Sequence, residues 1–269
     1  MERDPLDTGE GGTDYGRDHD RDMGDEPVGA LRDAAPDYLT PIDASAPVSG
    51  HVPPPERTAS AIDSPEHDWD RARDLIYPAF RPAGTQGEPI AALDLETLGS
   101  PPKGHAQPLV DEGPAGLPVV YTIDAGAFDV IVSADHLRSW GIGPVELQDA
   151  ALRNLATWSA AAPWTDEVSG ERRLVSSDTG DGWDAVRILL PEVIEHLNRE
   201  LAPHGRILVG LPERHLLVAG SLRPNDDEFA SLFADFVIET SGGADEPVDR
   251  RVFELVDGRI VEFAGVTAG

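Results

Sequence analysis

The run Ser177-Asp178-Thr179-Gly180-Asp181-Gly182-Trp183-Asp184 places carboxylates at every third position of a glycine-bent loop. Hard cations such as calcium take several oxygen ligands from a bend of this kind. The spacing is not that of an EF-hand loop, and no bidentate glutamate closes it. Aspartates just ahead of a helix also satisfy orphan N–H groups and complement the helix dipole. Capping by Asp181 or Asp184 is therefore the stronger expectation, with Asp178, Asp181 and Asp184 as weak metal candidates.

A second constellation is Glu213-Arg214-His215, in a tight turn after Pro212. A turn can present an arginine fork and an imidazole to a ligand, and the fork suits a carboxylate or phosphate. Arg187 follows Asp184 by three residues and can line the same space if the helix start faces the turn. A pocket built from Asp181, Asp184, Arg187, Glu213, Arg214 and His215 is thus one expectation. The plainer one is internal pairing: Arg214 with a nearby acid, and Arg187 with Asp184 on one helix face.

Other signatures of chemistry are missing from the sequence. There is no His-Glu-x-x-His array, no Gly-x-Ser-x-Gly elbow, no Walker loop and no dinucleotide fingerprint. Ser176 and Ser177 lack an identifiable base, and the histidines are scattered. Without cysteine, thiolate catalysis, disulfides and Cys-ligated zinc are excluded. No cofactor is expected.

The elements that must position these residues follow from periodicity. Ser64 and Pro65 open a helix signal whose apolar face is Trp69, Ala72, Leu75 and Ile76, stopped by Pro78. Residues 81–116 are Pro/Gly-rich and read as irregular, with room for one helical turn near Asp94–Leu98. Val119–Ile123 and Phe128–Val132 form a hairpin. Ser133 caps a short helix ending at Trp140-Gly141, and Pro144 opens a longer one. Residues 159–173 read as a loop before a short strand at Leu174-Val175. From Asp184 to Leu201 the period is helical, and Pro191 must kink the helix or start a second one. Arg206–Leu211 and His215–Ala219 are strands. Asp226 caps a helix carrying Phe229, Leu232, Phe233, Phe236 and Val237. Arg251–Val256 and Arg259–Phe263 flank Asp257-Gly258, a strong hairpin signal. Hairpins alternating with helices predict an α+β fold, a mostly antiparallel sheet with helices packed on one face.

Charge bounds the partners. The 269 residues carry 50 acids against 21 lysines and arginines, a formal charge of −29. That balance argues against nucleic acid and against anionic membranes. No apolar run approaches the roughly 18 residues that a spanning helix needs. Residues 1–63 hold 15 acids and 5 arginines, with few and unpatterned apolar residues. They read as a disordered acidic arm in which Tyr38–Ile42 is the one candidate partner motif. Residues 64–116 follow as a helix and an irregular segment, then 117–269 as the α+β domain, with 64–269 expected to fold as one unit. The start, Met-Glu-Arg-Asp-Pro, shows no secretory pattern, so a cytoplasmic protein is expected.

Four blocks in order, "VVYTIDAGAFDVIVSADHLRSWGI", "ALRNLATWS", "DGWDAVRILLPEVIEHL" and "LPERHLLVAGS", resemble those of the YtpQ-like family of bacterial proteins. The resemblance covers roughly residues 117–264 and departs from the family's pattern at Val186 and His215. It implies a bacterial cytoplasmic protein with an α+β fold and brings no activity with it. With no catalytic signature, the leading expectation is a non-enzymatic protein-binding or adaptor domain. The partner expected is another protein, a basic one among the options, or the chain itself, and 251–263 offers a sheet edge for strand addition. The alternatives are a ligand-binding or enzymatic pocket at 178–187 and 213–215, or a divalent-cation protein using the aspartate loop.

Overall fold

The computed structural model describes residues 64–94, 107–126 and 128–265. The expected acidic arm at 1–63 lies outside them, as does most of the helical turn expected near Asp94–Leu98.

The expected first helix is cut short. A 3-10 turn at Pro65–His67 leads into α1, Trp69–Ala72, whose start is capped by the Asp68 carboxylate on Asp70 N–H. Strand β1 then runs Ile76–Phe80 with Pro78 inside it. A residue before proline is pushed out of the helical region, so Tyr77 favours an extended chain. Proline is tolerated because β1 lies at a sheet edge. The segment expected to be irregular also supplies β2 (Glu88–Pro89) and β3 (Leu109–Glu112). With β4 (Pro118–Asp124) and β5 (Asp129–Ile131) they form the first sheet, in which β4 pairs with β1, β3 and β5. Among the described residues, only the β2–β3 pair is parallel.

Helix α2, Ala134–Trp140, ends at Gly141 in the left-handed conformation. Helix α3, Pro144–Ala161, turns Leu147, Ala151 and Leu155 into the core. It is tied to the first sheet by Asn154 Nδ2, which donates to the Arg73 and Ile76 carbonyls at 2.8 and 2.9 Å.

The stretch expected to be a loop before Leu174 is instead a hairpin of β6 (Thr165–Ser169) and β7 (Arg172–Ser177), turned at Gly170. Pro191 resolves the helical run into two pieces: a 3-10 turn, Ala185–Leu189, and α4, Pro191–Leu201, with the proline at its first turn. Strands β8 (Arg206–Glu213) and β9 (Leu216–Leu222) follow, then α5 (Asp227–Gly243) and the hairpin β10 (Val252–Val256) and β11 (Arg259–Glu262). Both Asp257 and Gly258 take positive φ, as the two-residue turn requires. These six strands form a second sheet, fully antiparallel, in the order β11-β10-β8-β9-β7-β6.

The α+β expectation holds, but the helices are not on one face. Alternate residues of a strand face opposite sides. Ile207, Val209, Leu217, Ala219 and Phe253 join α4 and the first sheet in the main core. Leu208, Val218, Leu222 and Val252 face away and meet Phe229, Phe233 and Val237 of α5 in a second, smaller core. Close approach of α5 depends on Gly220, where an added Cβ would stand 2.7 Å from the Phe229 ring and 2.8 Å from Leu174.

Candidate functional site

The aspartate loop is closed on itself. Asp184 is buried and caps nothing. Its carboxylate accepts from Ser177 Oγ at 2.5 Å, Thr179 Oγ1 at 2.8 Å and Thr179 N–H at 3.2 Å. Asp181 is exposed and accepts from Trp158 Nε1 at 3.0 Å, so it is not a helix cap either. Both capping expectations are corrected by the same fact: the loop needs its carboxylates to hold its own hydroxyls and a neighbouring indole. Asp178 is exposed and points elsewhere, to a groove described below. Among the described residues, no group of three or more histidines and acids is arranged to hold a metal ion.

Arg187 lies at 1% exposure. Its Nε donates to Ser159 Oγ at 3.0 Å, Nη1 to Ser177 Oγ at 2.5 Å and Pro163 O at 3.4 Å, and Nη2 to Ser159 O at 3.0 Å and Ala162 O at 3.4 Å. These use all five N–H groups of a guanidinium. The Trp164 ring lies 4.1 Å from its central carbon. Burial pushes the Arg187 guanidinium down to about 10, against the pull of Asp184. The side chain is an internal tie between α3, β7 and the 3-10 turn, with no donor left for a ligand.

Arg214 does meet the loop. Its Nε donates to Gly182 O at 3.2 Å, and its own carbonyl accepts from Ala185 N–H at 3.2 Å. The fork closes on acids from outside the loop, Asp129 at 2.9 Å and Glu246 at 3.0 Å. Burial pulls the guanidinium down, but the bonds to Glu246 and Asp129 hold it above its ordinary value. Gly182 has φ +89°, and a Cβ there would sit 2.6 Å from the guanidinium. Glu246 also lies near His215 Nε2 at 3.7 Å and Arg81 at 3.9 Å. Glu213 is partly exposed and bridges to Pro247 through the backbone. The expected pocket residues therefore fall into two sets: Asp184 and Arg187 meet at Ser177, while Arg214 and His215 face Glu246, and both arginines are engaged by protein groups.

An open groove lies elsewhere. A groove of about 850 Å³ runs between α5 and the outer face of β6, β7 and β9, lined by Phe229, Leu232, Phe233, Phe236, Leu174, Leu216 and Val218. Its rim carries Glu167, Asp178, Ser169 and Arg172. Leu232 is 54% and Phe236 44% exposed. Among the described residues α5 packs mainly on β8, β9 and β10 and meets β7 at Arg172 and Leu174, which leaves the groove open toward β6. The arginine at the rim is taken: Arg172 grips Asp226 through two bonds of 3.0 and 2.7 Å and reaches Glu228 at 2.7 Å. The Asp226 carboxyl, held well below its usual range by Arg172, also caps α5 through Phe229 N–H at 3.2 Å. Sequence periodicity placed Leu232 and Phe236 on the apolar face of a helix but not in an open groove. The available signal was the width of that face, which exceeds the ~100° arc that one core contact needs.

Relatives are found over part of the chain. It is 25% identical to a UPF0354 protein of Listeria monocytogenes over 130 residues, 48% of this chain and 47% of the relative. It is 27% identical to UPF0354 proteins of Staphylococcus epidermidis over 147 residues, 54% of this chain and 49% of each relative. The likeness is to UPF0354 proteins. The chain spans about half the length of the curated relatives it matches. The relatives' names state no substrate or partner. No family model matches the chain, and no solved structure matches it. Among the described residues no helix is long and apolar enough to cross a membrane.

Proposed function

We propose that this chain is a non-enzymatic protein-binding domain of a bacterial cytoplasmic protein of the YtpQ-like kind, and that it takes a peptide segment in the groove beside α5. One observation carries the reading: exposed Leu232 and Phe236 line an apolar groove of about 850 Å³ next to β6, a sheet edge with no further strand among the described residues. Ligand sites are concave, mostly apolar and carry a few polar groups at the rim. Burying an exposed leucine or phenylalanine fully is worth about 1.5–3 kcal/mol, enough to anchor a segment. The competing pocket at 178–187 and 213–215 has its two arginines already engaged, which favours the groove.

The test is selection of a random linear-peptide library on the full chain, with binders re-measured on Leu232→Asp and Phe236→Asp. Each substitution is expected to weaken binding by about tenfold or more, as loss of an anchor does. Failure to select any binder, or binders indifferent to both substitutions, overturns the reading.

A further inference from the structure

The groove has one wall that is not a helix. Among the described residues, strand β6 ends the second sheet and pairs only with β7. All five of its residues are exposed. The opposite edge differs: near β11, Arg251 reaches across to the Ala115 carbonyl of the 114–116 turn at 3.4 Å. Edge strands expose a row of unpaired N–H and C=O groups, which is a template for another strand. The edge expected at 251–263 is there, since β11 ends the sheet on that side; β6 is the edge that borders the groove.

We propose that the groove's occupant is an extended cationic segment of another protein, added to β6 as a seventh strand. This rests on the groove reading above. Residues directly opposite in an antiparallel pair share a face. Glu167 pairs with Leu174 and Ser169 with Arg172, so both turn toward α5, while Asp166 turns away and is held by Arg173 at 2.6 and 3.0 Å. A strand beside β6 therefore sends every second side chain into the groove. Apolar side chains at alternate positions of such a strand lie on the face of the sheet that carries the groove and its anchors Leu232 and Phe236.

Charge selects among occupants. Glu167 and Asp178 line the groove, and its one cation, Arg172, is already neutralised by Asp226 and Glu228. A lysine or arginine opposite Glu167, flanked two positions away by apolar residues, satisfies both features. A second copy does not: symmetric pairing about the middle of β6 sets Glu167 against Glu167, and like charges directly opposite are destabilising. Residues 1–63 of this chain, with 15 acids against 5 arginines, carry the same sign as the groove.

Peptides selected on the full chain are sequenced, then synthesised with and without N-methylation at alternate backbone nitrogens. The wild-type pool is expected to be rich in lysine or arginine between alternating apolar residues and poor in proline. Methylation on the edge that faces β6 is expected to weaken binding about tenfold or more. Glu167→Lys is expected to weaken it by a similar factor and to select a pool rich in aspartate and glutamate instead. Binders that need Leu232 but ignore both Glu167→Lys and methylation leave the groove reading standing and overturn the strand-addition proposal. Binders that need none of these overturn both. A wild-type dimer in sedimentation that Leu232→Asp dissociates makes a second copy the occupant and overturns the proposal.

Discussion

Ser177 Oγ stands between Arg187 and Asp184, accepting a 2.5 Å hydrogen bond from the guanidinium and donating one of 2.5 Å to the carboxylate. The two charges thus communicate through a buried hydroxyl. Ser177→Ala leaves a donor and an acceptor short of partners in the core. A buried unsatisfied group costs about 1–3 kcal/mol, and each kcal/mol lowers the midpoint by about 2–4 °C at this size. A thermal melt of Ser177→Ala unchanged from wild type would show that the bridge contributes nothing.

Gly182→Ala is expected to act in two ways. It puts a side chain at φ +89°, and its Cβ meets the Arg214 guanidinium. The left-handed conformation alone costs about 1–2 kcal/mol. Displacing Arg214 from Asp129 and Glu246 adds to that. Chemical denaturation compares Gly182→Ala with Gly180→Ala, whose φ is +78° but whose Cβ meets nothing. The excess loss at 182 is expected to disappear in an Arg214→Ala background.

His136 makes α2 sensitive to pH. Its Nδ1 accepts the Ser133 N–H at 3.0 Å, so the ring must be neutral on that side. Burial holds its pKa below the ordinary value of 6.5. Between its lowered value and 6.5 the unfolded chain binds more protons, so stability rises with pH across that window. It is full above 6.5 and falls as the ring protonates. The loss is bounded by a helix cap, about 0.5–2 kcal/mol. Melting points from pH 7 down toward 5 are expected to fall less steeply for His136→Gln, which keeps a neutral acceptor. Parallel curves for the two proteins count against this assignment.

Acid is expected to loosen α5 from β7 at a lower pH. Arg172 holds the Asp226 carboxyl below its ordinary range, so this pairing stabilises above about pH 4 and is lost as pH falls through the lowered value. Asp226→Asn still caps the helix but removes one of the two carboxylates on Arg172, leaving the bond to Glu228. Hydrogen exchange at the first turn of α5 should therefore be faster in the variant at neutral pH and converge with wild type in strong acid.

Leu232→Asp is expected to leave the fold intact, because the side chain is exposed and surface changes stay within about ±0.5 kcal/mol. Its melting point should match wild type. A drop of several degrees would mean that the residue belongs to the core after all.

Much of this architecture was legible in the sequence, for identifiable reasons. The Asp257-Gly258 turn, the Ser133 and Asp226 helix starts and the break at Pro191 are local signals, and each sits where the residues put it. Ile76 misled because its helical spacing from Ala72 coincides with a place in the core that a strand also reaches; Pro78 decided between them. Strand β6 had no signal to give. Thr165-Asp166-Glu167-Val168-Ser169 lies wet on both faces, so no apolar alternation marks it. Arg187 and Arg214 could be singled out as residues with chemistry, but their partners Ser159, Trp164, Asp129 and Glu246 come from other elements, which only the fold brings near.

The second sheet divides two cores that share its strands and little else. It works as a party wall. Above it, Phe229, Phe233 and Val237 bind one helix to one face; below it, the larger core takes in α3, α4 and the first sheet. Segments held by few buried residues open at lower free energy than the whole. The contacts that hold α5 are therefore separate from those that hold the buried arginine on the other side.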